Sequence, residues 1–409
     1  MLKKYTFLDP IHGNIELNTK YPEEKLILDL IECTEFQRLR RIRQLGFSYL
    51  TFYGAESSRF VHSIGTFQIA RSMLNRLMSK SPDLVKPFYT AILVSALLHD
   101  LGHGPFSHSS EPSFGFEHED WTIKNIKGKT EINQVLSAYN KDLPQKVIDI
   151  LEQKIEPKWI SQIISGQLDC DRCDYLIRDS HQTGTKYGVF QLERIIQSLE
   201  LIDLDGEVKL IVTEKGIHAV EDYLFARYSM YLQVYHHKKT LAADAMFTSL
   251  ICRVRDLISE NIDLPLSESV RKWIIYKSNK KIKISLEDFF NFDDSEIFTH
   301  LKLWSKQKED LILQDLANRI LNRKLFKAKR ANILNADELN KIQNYFPENL
   351  RKYYCLIHEC REFPYTDQRK PILVRKEGQI MDLAMASPIA TALMNRGQEL
   401  DTKWIFFPE

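Results

Sequence analysis

Five of the twelve histidines in this 409-residue chain, His62, His99, His103, His108 and His118, fall within one short window. Its middle reads Ala96-Leu97-Leu98-His99-Asp100-Leu101-Gly102-His103-Gly104-Pro105-Phe106-Ser107-His108, an apolar run that ends in imidazole and carboxylate groups. Buried side by side without partners, those groups are costly. A divalent cation satisfies both, because imidazole nitrogen and carboxylate oxygen are common ligands of such ions. An isolated His-Asp pair is more readily a helix cap beside a local arginine. Here the flanks supply further ligands: Arg59-Phe60-Val61-His62-Ser63 upstream and Asp169-Cys170-Asp171-Arg172-Cys173-Asp174-Tyr175 downstream. The pattern His…His-Asp…Asp, drawn from three helices, leaves room on an octahedral ion for water or substrate oxygens.

The elements that must carry these groups are mostly helical. Phe88 to Leu98 predicts a helix buried on nearly all sides, ended by Gly102, Gly104 and Pro105. Residues 23–195 read as helices separated by Gly/Pro turns. Leu192 to Leu204 and Glu207 to Thr213 alternate across Asp205-Gly206, a hairpin signal. A long helix from about Gly216 to Val254 carries Tyr235-His236-His237-Lys238. Charged helices follow, with a short strand at Pro371 to Arg375. The expected fold is mainly α: a helical core with a small β-hairpin over 1–255, and a mixed α+β C-terminal lobe over 256–409.

Composition narrows the function classes. Lysine and arginine number 56 against 55 acidic residues, so no global field steers the chain toward nucleic acid. No apolar run reaches the length of a membrane span. Met1-Leu2-Lys3-Lys4 lacks the apolar core of a signal peptide. Six cysteines without framework spacing fit a reducing cytoplasm, the expected location. Cys170 and Cys173 form a C-x-x-C inside the Asp171 helix and read as packing. Cys355, His358 and Cys360 show no fourth zinc ligand. The basic run Arg319 to Arg330 reads as a solvated face, or as an effector contact where subunits meet.

At these residues the chain resembles the HD-domain phosphohydrolases and, more narrowly, their deoxynucleoside triphosphate triphosphohydrolases, both the vertebrate sterile-alpha-motif type and bacterial dGTPase-like forms. Six ordered blocks carry the likeness: Asp9-Pro10-Ile11-His12-Gly13; Phe36-Gln37-Arg38-Leu39-Arg40 with Arg43-Gln44-Leu45-Gly46; Arg59 to Ser63; the His-Asp segment; the Asp171 helix; and Tyr235 to Lys238. They span roughly residues 5 to 330. The resemblance implies an HD catalytic core followed by a regulatory, oligomerising lobe. It also implies hydrolysis of a dNTP to deoxynucleoside and tripolyphosphate, serving dNTP pool control or defence against phage.

It further implies His62, His99, Asp100 and Asp171 as ligands of iron, manganese or a similar cation, with magnesium on the substrate phosphates. Asp169 competes with Asp171, and the family spacing of four residues before Tyr175 selects Asp171. His108 is the expected general acid, in a site completed by His103, Glu111, His118 and Glu119; the family has an Asp where this chain has Glu111. Arg59 lies three residues before His62, on the same helix face, and suits a grip on phosphate. Tyr235, Asp179 and Gln44 are expected to read the sugar, with Leu45, Arg172, Tyr175, His236 and Lys238 as further substrate contacts. Cys33, Gln37 and Arg40 match an activator site, with Cys33 in place of the family's guanine-reading Asp. A thiol cannot accept the paired donors of a guanine edge, so a regulatory nucleotide other than GTP is expected. The expected assembly is a homo-oligomer, dimer or tetramer.

Two other functions stay open on the residues alone. One is a phosphodiesterase or nucleotidase for a signalling nucleotide, which the Tyr235 block and the Arg59-x-x-His62 pair disfavour. The other is a non-catalytic nucleic-acid-binding regulator, which the near-neutral charge and the intact ligand set disfavour.

Overall fold

Four helices bring the marked residues together: α1 (Arg59–Met78), α2 (Tyr89–Leu98), α3 (His118–Lys127) and α4 (Cys170–Thr183). The computed structural model describes residues 3–360, 365, 371–395 and 402–408. In α2 every residue from Ala91 to Leu98 is buried, as its continuous apolarity requires. It packs on α1, which in turn packs on α4. Asp169 caps α4 by accepting the Arg172 N–H, and Gly184 closes its other end at φ 73°. The approach of α4 to α1 depends on Gly65, where any Cβ would collide with Asp174 and Arg178.

The small sheets frame this core. β1 (Lys4–Asp9) and β2 (Gly13–Asn18) form an antiparallel hairpin. β3 (Leu199–Leu204) and β4 (Glu207–Val212) form a second, joined through Asp205 and Gly206, both at positive φ, which is the two-residue turn the Asp-Gly pair favours. The expected strand from Leu192 begins only at Leu199. Leu192, Ile195 and Ile196 instead bury one face of a helical turn, Leu192–Gln197.

The long helix expected over 216–254 is also broken. α5 (Ile217–Met230) passes into a π-helical turn, Tyr231–Tyr235, and α6 (Lys238–Ser259) starts afresh with the His237 ring accepting the Lys239 N–H. Such widened turns are common at functional sites, and this one carries Tyr235. α6 runs past residue 255 into a second core built on Phe47, Phe106, Phe247, Trp273 and Trp304.

Beyond α6 the chain is mixed. β5 (Lys327–Arg330) and β6 (Leu356–Cys360) flank a later strand, Thr402–Phe407, in an antiparallel sheet. β7 (Leu373–Lys376) pairs parallel with β4, and β8 (Gln379–Asp382) with β7. Ile372, Val374, Leu383 and Ala390 thereby return to the first core. The molecule is mainly α, with a helical core, small hairpins and a mixed C-terminal region. Among the described residues no helix is long and apolar enough to cross a membrane.

Candidate active site

The ends of α1, α2 and α4 place four side chains around one point. His62 Nε2 lies 3.1 Å from an Asp171 oxygen and 3.4 Å from an Asp100 oxygen. His99 Nε2 lies 3.3 Å from Asp100 and 3.4 Å from Asp171. His99 donates Nδ1–H to the Ala96 carbonyl at 2.9 Å, which leaves Nε2 a free lone pair. That atom is buried and has no hydrogen-bond partner. An orphaned imidazole nitrogen aimed at two carboxylates fits a divalent cation better than a hydrogen-bond network.

Electrostatics agree with that fit. Burial disfavours a charged ring at His62, yet Asp171 and Asp174 raise its pKa to about 10. Burial likewise opposes ionisation of Asp171, but His62 and His99 hold its carboxyl below the ordinary range. Asp100 is also held well below its usual value, with burial outweighed by Arg59, His99 and His103. Without a metal, the quartet attracts protons to the atoms a metal would occupy.

Asp174 was not assigned a role from the sequence. It accepts His62 Nδ1–H at 2.7 Å, which commits that ring to presenting Nε2. Carboxylate partners of this kind fix the tautomer and orientation of metal-binding histidines. The available signal was its place on the buried face of α4, four residues before Arg178, whose guanidinium it accepts at 2.8 Å. Asp169 lies away from the quartet; its carboxylate caps α4 and pairs with the Arg172 guanidinium.

A second cluster lies beside the quartet. His103, His108, Glu111 and His118 bring their polar atoms together, and the His103 and His118 rings stack at 3.9 Å. Glu111 accepts from His118 Nδ1 at 2.9 Å and reaches His108 Nδ1 at 3.2 Å. Burial opposes charge on Glu111, but His108 and His118 draw its carboxyl down to about 2. His118 is raised despite its burial, by Glu111 and Glu119. His103 is held well below the ordinary histidine value by burial, Arg59 and His118. His108 is 67% exposed and faces the cavity. Glu119 lies 3.3 Å from His118. The backbone that presents this cluster is strained, with Phe106 and Ser107 at φ 56° and 55°. The Asp294 carboxylate holds the Phe106 N–H at 2.7 Å, and Phe47 stacks on the Phe106 ring.

Both clusters open on a cavity of about 1110 Å³ lined by Gln44, Leu45, Arg59, Arg172, Tyr175, Asp179 and Tyr235 as well. Arg59 donates to Asp100 at 2.6 Å and to the Ser107 hydroxyl at 2.9 Å. The Tyr235 hydroxyl donates to Asp179 Oδ2 at 2.9 Å. Asp179 Oδ1 and Gln44 Oε1 are buried without hydrogen-bond partners. Burial pushes the Asp179 carboxyl up to about 7, against the pull of His62 and the Tyr235 hydroxyl. His236 and Lys238 do not line the cavity: His236 packs against Tyr231, and Lys238 is exposed. Cys33, Gln37 and Arg40 sit elsewhere. Cys33 is buried near Glu35 and Glu131; burial and those carboxylates push its thiol up to about 12. The Gln37 amide donates to the Ile31 carbonyl, and Arg40 covers the Phe60 ring.

Comparison with known proteins agrees with this geometry. The HD domain family matches residues 59–179, from Arg59 to Asp179, and the HD associated region matches 190–263. YwfO, an uncharacterized protein of Bacillus subtilis, is 37% identical across 98% of this chain and 92% of its own length. The human deoxynucleoside triphosphate triphosphohydrolase SAMHD1 is 28% identical over 72% of this chain, which spans 48% of the human protein. The crystal structure of a phosphohydrolase from Bacteroides thetaiotaomicron superimposes with a TM-score of 0.83 at 28% identity, covering 99% of this chain and 100% of that one. With His62, His99, Asp100 and Asp171 all inside the matched segment, the chain belongs to the HD-domain phosphohydrolase family.

Proposed function

We propose that this protein is a metal-dependent dNTP triphosphohydrolase. The observation that carries the reading is a pair of orphaned acceptors, Asp179 Oδ1 and Gln44 Oε1. Both are buried, both line the cavity, and Asp179 also accepts from Tyr235. Buried acceptors without partners are rare in native proteins; a sugar 3′-hydroxyl donates its one hydrogen to Asp179 Oδ1 and accepts from the Gln44 amide once that amide turns its N–H toward the cavity. The Tyr235 ring then stands where a 2′-hydroxyl would intrude. Human SAMHD1 bears the name of this activity.

His62, His99, Asp100 and Asp171 would hold the divalent cation, which supplies Lewis acidity toward phosphate and activation of water. The residues around it do the rest. Arg59 and Arg172 bring positive charge to the phosphates, with magnesium on the triphosphate. Water adds to the α-phosphorus, the bond from phosphorus to the 5′-oxygen breaks, and tripolyphosphate leaves intact. The departing 5′-oxygen takes a proton from His108, which Glu111 orients, and the proton lost by the attacking water returns to the His108–Glu111 pair, which restores the acid. His118 with Glu119 backs Glu111, and neutral His103 separates that charge from Asp100.

Control belongs to the same reading. Cys33 stands where the family reads guanine through a carboxylate, and a thiol cannot accept the paired donors of a guanine edge, so the activator is a nucleotide other than GTP, acting on a homo-oligomer. Incubation with each dNTP, singly and mixed, with and without GTP, tests both parts when products are separated by ion chromatography and assembly is followed by light scattering. Tripolyphosphate and deoxynucleoside are expected. Pyrophosphate with deoxynucleoside monophosphate would exclude the reaction, and strong activation by GTP alone would exclude the proposed control.

A further inference from the structure

We propose that His12, presented by the turn of the N-terminal hairpin, is a positioning residue for the metal centre: it locks the Asp174 carboxylate that aims His62. The inference rests on the metal-site reading and is independent of which phosphate ester is cleaved. His12 Nε2 lies 2.6 Å from Asp174 Oδ1, 162 residues away in sequence. The other oxygen of the same carboxylate accepts His62 Nδ1–H at 2.7 Å. Arg178 takes both oxygens, through Nε at 2.8 Å and Nη2 at 2.9 Å. An ionised carboxylate offers about four acceptor positions, and all are used. Rotation of Asp174 therefore breaks several charge-assisted bonds at once.

The turn itself is fastened to the same group. Asp9 Oδ1 accepts the backbone N–H of Ile11 at 2.8 Å and of His12 at 2.9 Å. Asp9 Oδ2 pairs with Arg178 at 2.9 Å. The His12 side chain is only 9% exposed, and Asp174 and Arg178 are fully buried. Without His12, Oδ1 keeps Arg178 alone, and the carboxylate is free to tilt toward the guanidinium and away from His62. The hairpin, distant from the cavity in sequence, is by this geometry part of the metal centre.

The test is a Mn²⁺ titration of the full chain without nucleotide, read by the EPR signal of free Mn²⁺, beside the Tm of each metal-free variant. His12→Ala is expected to raise the Kd for Mn²⁺ by about 10–100-fold, the usual effect of removing a group that orients a ligand. His12→Gln, which keeps an N–H near the Nε2 position, is expected to bind close to the unaltered protein. An unchanged Kd in folded His12→Ala, with only a lower Tm, would make the contact merely structural and overturn the proposal. If His12→Ala does not fold, His12→Gln decides: affinity retained supports the linkage, and affinity lost refutes it. Failure of the unaltered protein to bind Mn²⁺ would instead remove the metal-site reading along with this inference.

Discussion

The His62–Asp171 quartet and the Glu111 cluster are built from the same two functional groups, imidazole and carboxylate, yet they are anchored in opposite ways. At the quartet, each imidazole is tied from behind: His62 to Asp174, and His99 to the Ala96 carbonyl. Each Nε2 then faces inward, toward Asp100 and Asp171. At the other cluster, the imidazoles converge on one carboxylate, Glu111, and the outermost ring, His108, is largely in solvent. Rear anchoring selects one tautomer and one rotamer, which suits a ligand. A shared central carboxylate leaves a proton free to move among its partners, which suits acid–base work. Residue type alone does not separate a ligand from a proton carrier; what stands behind the ring does.

The sharpest way to break this comparison is to remove one member from each side. His99→Ala or Asp171→Ala is expected to abolish both bound metal and hydrolysis, measured by elemental analysis and by tripolyphosphate release. His108→Ala is expected to lower kcat by about 10²–10⁴-fold while the metal content stays that of the unaltered protein. Metal loss from His108→Ala would merge the two clusters into one binding site and end the distinction.

The sugar side sharpens it next. Tyr235→Val is expected to narrow the ratio of kcat/KM for dNTP over rNTP by up to about 10²-fold, the limit for an apolar wall that rejects a hydroxyl. An unmoved ratio would assign the discrimination to Gln44 and Asp179.

A smaller, graded effect comes from pH. Because His62 is raised to about 10 in the metal-free site, its protonated form dominates at neutral pH and must lose a proton when metal binds. Mn²⁺ affinity should therefore rise with pH, by about tenfold per unit between about pH 6 and about pH 9. Titration in buffers of matched ionic strength checks the sign. A flat profile would mean that His62 is already neutral, and that Asp174 anchors it without drawing in a proton.

Much of the site was legible because its signals are local. The apolar run into His99-Asp100 marks a buried helix end, and the spacing of Arg59 and His62 places both on one face. The Asp-Gly turn announces its hairpin, although the helical turn before it did not separate from an alternating strand. Helix α5 and the helix that follows read as one because each has helical periodicity. Only the packing of Tyr231 to Tyr235 against the cavity shows the widened turn between them. Arg172 illustrates the same limit. Its charge is visible in the chain, but its engagement by Asp169 depends on how α4 is capped.

What the sequence by itself determined is the inventory: two imidazoles and two carboxylates on helices, a histidine-rich turn, and an aromatic block after α5. These follow from residue type and short-range spacing, which set local conformation. What only the tertiary structure decided is which groups stand behind which. Asp174 reaches His62 across two helices, and His12 reaches Asp174 from the far end of the chain. The Gln44 and Asp179 acceptors come to face one cavity only once the segments that carry them have packed together. Those relations arise because burying apolar faces forces distant polar groups to find partners in whatever position packing leaves them.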